Sequence, residues 1–349
     1  MTKKKTILLL APGYMNIYKD IIAGLENKGF EVTWVRDSQV SGNPHIYSIP
    51  WYLRKRVPVY NEQVRKLWID ILNSEECNKC FDYFLAIDGL MADETLFHIL
   101  DERNPRIKKV LFVYDPIDGD YQIDYLFKYY DQVFSFDFGD CEKFNMNFLP
   151  IYWVPVENEK IIKYDIFGLA ALNYDKPQTI QYFQEIKDLA KSKGWSESIK
   201  LFYGRQNKYK NLFRVVWNKL RGRKFFSNKE LAENDLFTDK PLTPEEFRNT
   251  IQQSRTVLDV QAFNQDGLTA RFMWALGLGK KIMTYNKNVI RYPFYSPEQI
   301  LILDNNYEEI DSFLNSETKI PEAKRSIIDM YRIDNWLDTL LDITGNVSN

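Results

Sequence analysis

One rhythm limits what this chain can fold into. Short runs that are apolar at nearly every position ("TILLLAPG", "EVTWVR", "DYFLAIDG", "KKVLFVYDP", "QVFSFD" and "FLPIYWVP") alternate with helix-like stretches at 15–28, 61–75 and 92–104. A strand with one wet face alternates apolar and polar residues, whereas a strand apolar throughout has both faces covered. Runs of this kind separated by helices predict a parallel sheet with helices on both sides. The second half repeats the theme. "YDIFGLA", "IKLFYGR", "TVLDVQA", "KKIMTYN" and "QILILD" read as strands, with helices at 177–193, 208–220 and in "PLTPEEFRNTIQQS", where Thr243 is the expected N-cap and Pro244 the first helical residue. The expectation is an α/β chain of two Rossmann-like αβα domains facing a central cleft, with a boundary near 155–163 where the strand pattern restarts. Two more helical pieces, broken near 331–334, end the chain, and Trp336, Leu340 and Ile343 form a stripe there.

Length agrees, since 349 residues are too many for one ordinary core. Acidic residues (48) nearly balance basic ones (46), so no global field points to nucleic acid, and an anionic partner would need a local patch. The opening "MTKKKTILLLAPGYMN" reads as a first buried strand, not a secretory signal, because its apolar run is short and a Pro-Gly turn follows. No window reaches the ~20 apolar residues of a membrane helix. Three cysteines cannot make a disulfide framework, which suits a reducing cytoplasm. Cys77 and Cys80 form a lone C-x-x-C, short of the about four ligands a zinc site needs.

Ligands of parallel sheets sit at the carboxyl ends of the strands, and four corners there carry chemistry. The first, "APGYMN", contains Gly13, Tyr14 and Asn16; Gly13 allows a tight turn and Asn16 opens the next helix, without a dinucleotide fingerprint. The second, "VYDPIDGD", holds Asp115, Asp118 and Asp120. The third, "FYGRQNKYK", holds Arg205 and Lys208. The fourth, "NQDGLTAR", puts Gln265, Asp266, Gly267, Leu268, Thr269 and Arg271 where a helix begins. A helix start offers unpaired N–H groups and partial positive charge, so with Arg205, Lys208 and Arg271 it suits a diphosphate. The plainer alternative is an ordinary strand–helix junction with Asp266 as N-cap and surface charges around it.

The segment "QDGLTARFMWALGLGKKIMTYN", followed by "RYPFYSPEQILILD", resembles the signature of bacterial capsular and lipopolysaccharide biosynthesis glycosyltransferase-like proteins of the GT-B type. That pattern is approximately Q-x-G-L-T-x-R-x-x-E-x-L-G-x-x-K-K, matched here by Gln265, Gly267, Leu268, Thr269, Arg271, Leu276, Gly277, Lys280 and Lys281. The resemblance extends over most of the chain, including "FDYFLAIDG", "VLFVYDPI" and "YRIDNWLDTLL". It implies an N-terminal acceptor-side domain (1–158), a donor-side domain (159–326) and C-terminal helices (327–349) that pack back on the first. It further implies transfer of a sugar from a nucleotide-diphosphate donor to a glycan or lipid-linked glycan acceptor, with no cofactor.

Departures bear on the site. Trp274 stands where the family carries Glu, and Asp266 stands where retaining enzymes have a second Glu eight residues earlier. Trp274 is either a stacking surface for a base or core, and helical aromatics are mostly core. Asp88 occupies a position where relatives tend to be basic. Trp274 in place of Glu keeps open a non-catalytic nucleotide- or glycan-binding relative, and a third reading is a sugar-nucleotide epimerase of the same two-domain fold. Asp115 is the candidate general base or acceptor-orienting carboxylate. The Asp118–Asp120 triplet could instead hold a metal as in GT-A enzymes, but those have one nucleotide domain; no metal is expected here. Of the two histidines, His98 is expected to be packed in its helix, and His45 lies in a loop. Two basic–aromatic stretches, 51–68 and 208–224, could rest on an anionic membrane surface or be ordinary domain-surface helices. The expected location is therefore cytoplasmic, with peripheral attachment to the inner face of the membrane as the variant.

Overall fold

The computed structural model describes residues 4–13, 16–37, 58–117, 123–157, 161–174, 177–204, 226–261, 265–304, 307–317 and 320–343. The chain divides between Tyr152 and Trp153, and again between Met330 and Tyr331, into two compact units, so the last helix belongs to the first unit. That unit runs β1 (Thr6–Ala11), α1 (Ile17–Asn27), β2 (Glu31–Arg36), α2 (Pro58–Leu72), β3 (Tyr83–Ile87), α3 (Glu94–Arg103), β4 (Lys108–Val113), a 3-10 turn (Asp124–Tyr129), β5 (Gln132–Ser135), α4 (Phe138–Phe144) and β6 (Asn147–Phe148). The second runs β7 (Tyr164–Ala171), α5 (Pro177–Lys193), β8 (Glu197–Phe202), α6 (Asn228–Glu233), β9 (Phe237–Thr238), α7 (Pro244–Gln252), β10 (Ser254–Asp259), α8 (Ala270–Gly277) and β11 (Lys281–Thr284). It continues through a 3-10 turn (Lys287–Arg291), β12 (Ile300–Ile302), α9 (Glu309–Asn315) and α10 (Glu322–Asp329), before α11 (Ile333–Leu341) returns to the first unit.

Both sheets are parallel and six-stranded, ordered β2-β1-β3-β4-β5-β6 and β12-β11-β10-β7-β8-β9. The order reverses between β1 and β3 in one and between β10 and β7 in the other. At those points neighbouring crossovers diverge and leave a crevice at the carboxyl ends. Apolar runs become strands because each is covered twice. In the first unit Leu8 and Leu10 join Trp68, Leu72, Phe97 and Leu100 of α2 and α3 on one side. On the other, α1 meets α11, and Gly24 is what lets them approach: a Cβ there would stand 2.7 Å from Leu337 Cδ1.

The apolar run "FLPIYWVP" departs from expectation. Its strand stops at Phe148, and residues 149–157 are not a strand. Pro150 and Pro155 cannot donate to a ladder, and the buried aromatics act as anchors instead. Tyr152 donates its hydroxyl to Ile17 O at 3.3 Å, and Trp153 donates Nε1 to Ile328 O at 2.9 Å. Gly277 of the signature owes its identity to Trp153, since a Cβ would fall 2.1 Å from the indole.

The two signature lysines are structural. Lys281 is buried and its Nζ donates to the Phe313, Leu314 and Ser316 carbonyls, tying off the carboxyl end of α9. Lys280 Nζ donates to Gln252 O at the end of α7 at 2.5 Å. α7 starts as expected, with Thr243 and Glu246 in a reciprocal capping box and Pro244 first. His98 lies exposed on α3 rather than packed. In the described part of the first basic stretch, Trp68 is core and donates Nε1 to Met91 O at 2.9 Å, with Arg65 and Lys66 outward. The apolar face of α2 is therefore used inside the unit. Stretch 208–224, His45 and residues 51–57 lie outside the described residues.

α11 is held by Trp336, which has no exposure. Its Nε1 donates to Pro150 O at 2.9 Å and its ring meets Phe112 edge-on at 4.8 Å. Lys28 pairs with Asp338 at 2.7 Å alongside. Trp336→Ala is expected to cost about 3–5 kcal/mol of stability, the range for a buried aromatic truncated to Ala. Urea unfolding measures it, and a loss below about 1 kcal/mol would show that α11 is only loosely docked.

Candidate functional site

The second unit concentrates its polar groups where β10 ends. Asp259, the last residue of β10, has no exposure, and lies ten positions before Thr269 in the chain. Thr269, not Asp266, is the N-cap of α8: its backbone is extended (φ −68°, ψ 159°) and its Oγ1 accepts from Phe272 N at 3.1 Å. Asp266 lies three residues too early to reach that helix. It is exposed, and its Oδ1 accepts from Asn288 Nδ2 at 3.0 Å. The hydroxyl of Thr269 donates to Asp259 Oδ1 at 2.6 Å, which turns its lone pairs toward the helix start. By helix geometry the first N–H groups of α8, those of Ala270 and Arg271, have no intrahelical acceptor.

Arg271 lies in this first turn with a side chain only 13% exposed. Its Nη1 is 3.7 Å from Asp259 Oδ1, inside ion-pair range and too far for a hydrogen bond. Its Nε and Nη1 are buried without acceptors among the described residues, as is Asp259 Oδ2 without a donor. Burial pushes the Asp259 carboxyl up, against the pull of Arg271 and Thr269, and pushes the guanidinium down, against Asp259. A buried pair this incomplete is costly. Gln261 Oε1, two residues past β10, is likewise buried without a partner among the described residues.

The corner is held from the start of the 3-10 turn that follows β11. Asn286, 1% exposed, donates Nδ2 to Gly267 O at 3.3 Å and Asp266 O at 3.5 Å, while Gln265 Nε2 donates to Gly267 O at 3.4 Å. These bonds turn the corner's carbonyls toward Asn286. Leu268 is buried, so its side chain is an anchor and only its backbone can serve a ligand. Gln265, Asp266, Gly267, Leu268, Thr269 and Arg271 therefore come together at one strand end, while Arg205 and Lys208 lie outside the described residues. Trp274 is core, 2% exposed, edge-on to Phe247 at 5.7 Å and with Arg248 5.3 Å from its ring.

In the first unit, Asn16 precedes α1 in a left-handed conformation (φ 53°) and makes no side-chain cap. Gly13 leaves room for Arg36, whose Nε would be 2.6 Å from a Cβ there. Tyr14, Asp118 and Asp120 lie outside the described residues. Asp115 is exposed just beyond β4. Behind it, buried carboxylates tie strand exits together. Asp88 (φ 64°) accepts from Tyr114 N at 2.6 Å, and Asp37 accepts from Leu90 N and Met91 N at 3.1 and 3.0 Å. Asp37 and Asp259 escaped sequence reasoning, although a carboxylate at the end of an apolar run ("VRD", "VLD") is the signal that marks both. Among the described residues no three His, Cys, Asp or Glu side chains are grouped to hold a metal ion, and no helix is long and apolar enough to cross a membrane.

No protein-family model matches the sequence, and no curated protein matches it either. Solved structures share its fold. The chain is similar to OtsA, with a TM-score of 0.55 and 10% identity over 99% of this chain and 100% of that one. It is similar to α,α-trehalose 6-phosphate synthase from Burkholderia multivorans, with a TM-score of 0.53 and 12% identity over 99% and 100%. The glycotransferase of kitacinnamycin gives a TM-score of 0.52 and 10% identity over 98% and 99%. With its two parallel six-stranded sheets and flanking helices, the chain has the two-domain, Rossmann-like α/β fold of the GT-B type.

Burial raises the Asp37 carboxyl to about 7, against the two N–H groups that favour its ionised form. An aspartate in the unfolded chain titrates near ~3.9. Between about pH 4 and 7 the folded state therefore keeps a proton the unfolded state has lost, and this group's contribution to stability falls as pH rises. Asp37→Asn mimics the protonated form and removes that slope. Urea unfolding of both proteins is expected to show the wild type's advantage over Asp37→Asn shrinking from pH 4.5 to pH 7. An advantage that grows with pH would mean that the bonds from Leu90 and Met91 outweigh burial.

Proposed function

We propose that the protein is a glycosyltransferase that moves a sugar from a nucleoside-diphosphate donor to a surface-glycan acceptor of capsule, lipopolysaccharide or exopolysaccharide. The observation that carries this reading is the start of α8. A helix N-terminus at the carboxyl end of β10, beside the point where strand order reverses, holds a guanidinium whose Nε and Nη1 have no acceptor among the described residues. That set suits a diphosphate, whose oxygens accept from N–H groups and from guanidinium. The signature resemblance supports the surface-glycan class of acceptor, and the GT-B fold supports sugar transfer.

In the reaction an acceptor hydroxyl attacks the anomeric carbon while the bond from that carbon to the diphosphate oxygen breaks. The helix start and Arg271 would take up the charge that develops on the departing diphosphate. Asp115, exposed at a strand end, is the proposed group to receive the acceptor's proton. Gly13, Tyr14 and Asn16 would border the acceptor, and Arg205 and Lys208 would add charge on the donor side. We propose no metal and no cofactor, because a helix start and basic side chains can balance diphosphate charge by themselves.

The burial of Trp274 favours a second reading, a binding protein of this fold without catalysis, since no carboxylate stands at that position. A panel of nucleotide sugars separates the two: turnover supports the transferase, and a thermal shift without turnover supports the binder. Arg271→Ala is expected to weaken nucleoside-diphosphate binding by about 1.5–3 kcal/mol, the range for hydrogen bonds to a charged group. Unchanged affinity in calorimetry would remove Arg271 from the site. Activity is expected to survive EDTA, and a loss restored by Mn²⁺ would favour Asp118 and Asp120 as metal ligands.

A lipid-linked acceptor would make peripheral attachment to the inner face of the cytoplasmic membrane useful, through stretch 208–224. Sedimentation with anionic vesicles should then carry the protein down at low salt and release it at high salt. Protein left in the supernatant at low salt would make it simply cytoplasmic.

A further inference from the structure

We propose that Asp259 is a built-in counter-anion of the α8 site, which balances Arg271 while the site is empty and limits how tightly it holds a diphosphate. This rests on the reading of the α8 start as a diphosphate site. Two ion pairs of this chain show the contrast. Arg332 and Asp334 form a closed fork, with Nε–Oδ1 and Nη2–Oδ2 both at 2.6 Å, on a half-exposed surface. Arg271 and Asp259, far more buried, have the greater need of such a fork and do not make it. Their nearest approach is 3.7 Å, Oδ1 is engaged by Thr269, and Oδ2, Nε and Nη1 are left without partners among the described residues.

A pair built only for stability would close. One held open keeps guanidinium donors for a ligand and a carboxylate charge behind them. That carboxylate opposes any anion at the helix start, by Coulomb repulsion poorly screened in a buried setting. Its effect depends on ligand charge, and this ties it to turnover. Breaking the anomeric bond converts a diphosphate diester into a free diphosphate monoester, which carries more negative charge. The counter-anion therefore weakens the product more than the donor and favours its release.

The full chain is tested by calorimetry with UDP, GDP, ADP, CDP and dTDP, and with the matching monophosphates. Asp259→Asn keeps an oxygen for Thr269 and removes the charge. It is expected to bind its preferred nucleoside diphosphate about tenfold tighter than wild type, the effect of one unit charge several ångströms away after partial screening. The gain should be smaller for the monophosphate and should fade with salt. A purely structural Asp259 predicts only loss, so unchanged or weaker binding by folded Asp259→Asn overturns the proposal. If that variant does not fold, Arg271→Gln is compared with Asp259→Asn/Arg271→Gln, in which both charges go together. The double variant should bind tighter than Arg271→Gln alone, and equal affinity overturns the proposal. No nucleotide binding by any of these proteins overturns both the inference and the diphosphate reading; wild-type binding without a gain in the variants overturns the inference alone.

Discussion

A parallel sheet buried on both faces has nowhere but its ends to meet a ligand, and this constraint shapes both units. Each strand arrives at its carboxyl end from a dry core, and its exit must satisfy backbone N–H and carbonyl groups at once. Here short acidic and amide side chains do so. Asp37 and Asp88 tie the exits of β2, β3 and β4 in the first unit. Asp137 caps α4, and Asp140 accepts from Ile117 N at 2.8 Å. In the second unit Asn286 and Asn288 hold the corner before α8. The edge that must be pinned for the fold is the edge where chemistry can happen.

The same constraint divides the signature between two tasks. Leu276, Gly277, Lys280 and Lys281 serve packing: Gly277 admits the Trp153 indole, and the lysines close the ends of α7 and α9. Gln265, Gly267, Thr269 and Arg271 shape and charge the helix start. Trp274 falls on the packing side of that division. Its indole fills the space between α7 and α8, which removes it as a stacking platform for a nucleotide base.

Polar burial has opposite consequences at the two strand ends. Asp37 accepts two backbone N–H groups and is anchored by them, yet its seclusion still keeps a proton on it to about pH 7. Asp259 has a hydroxyl and a distant guanidinium as partners, and its second oxygen has no donor among the described residues. The first arrangement braces a loop. The second leaves a buried ion pair incomplete beside a helix start.

The apolar rhythm by itself determined two parallel αβα units, because doubly covered strands leave a local trace at every position. Cap chemistry was also local, so Thr243 with Pro244 was legible, as was the break before α11. The α8 cap went to Thr269 rather than Asp266 because the corner stays irregular for three residues more, held by Asn286 and Asn288 from the 3-10 turn after β11. Such bonds leave no mark in neighbouring sequence. The strand in "FLPIYWVP" was misread for a similar reason, since burial against α1, α8 and α10 produces the same apolar letters as a ladder does. The role of Lys280 and Lys281 was hidden too, because a charge reads as surface until a distant helix end is brought to meet it. Above all, only the tertiary structure decided that Asp259 faces Arg271. Their opposition is a matter of where β10 ends and α8 begins in space, and sequence records order, not distance.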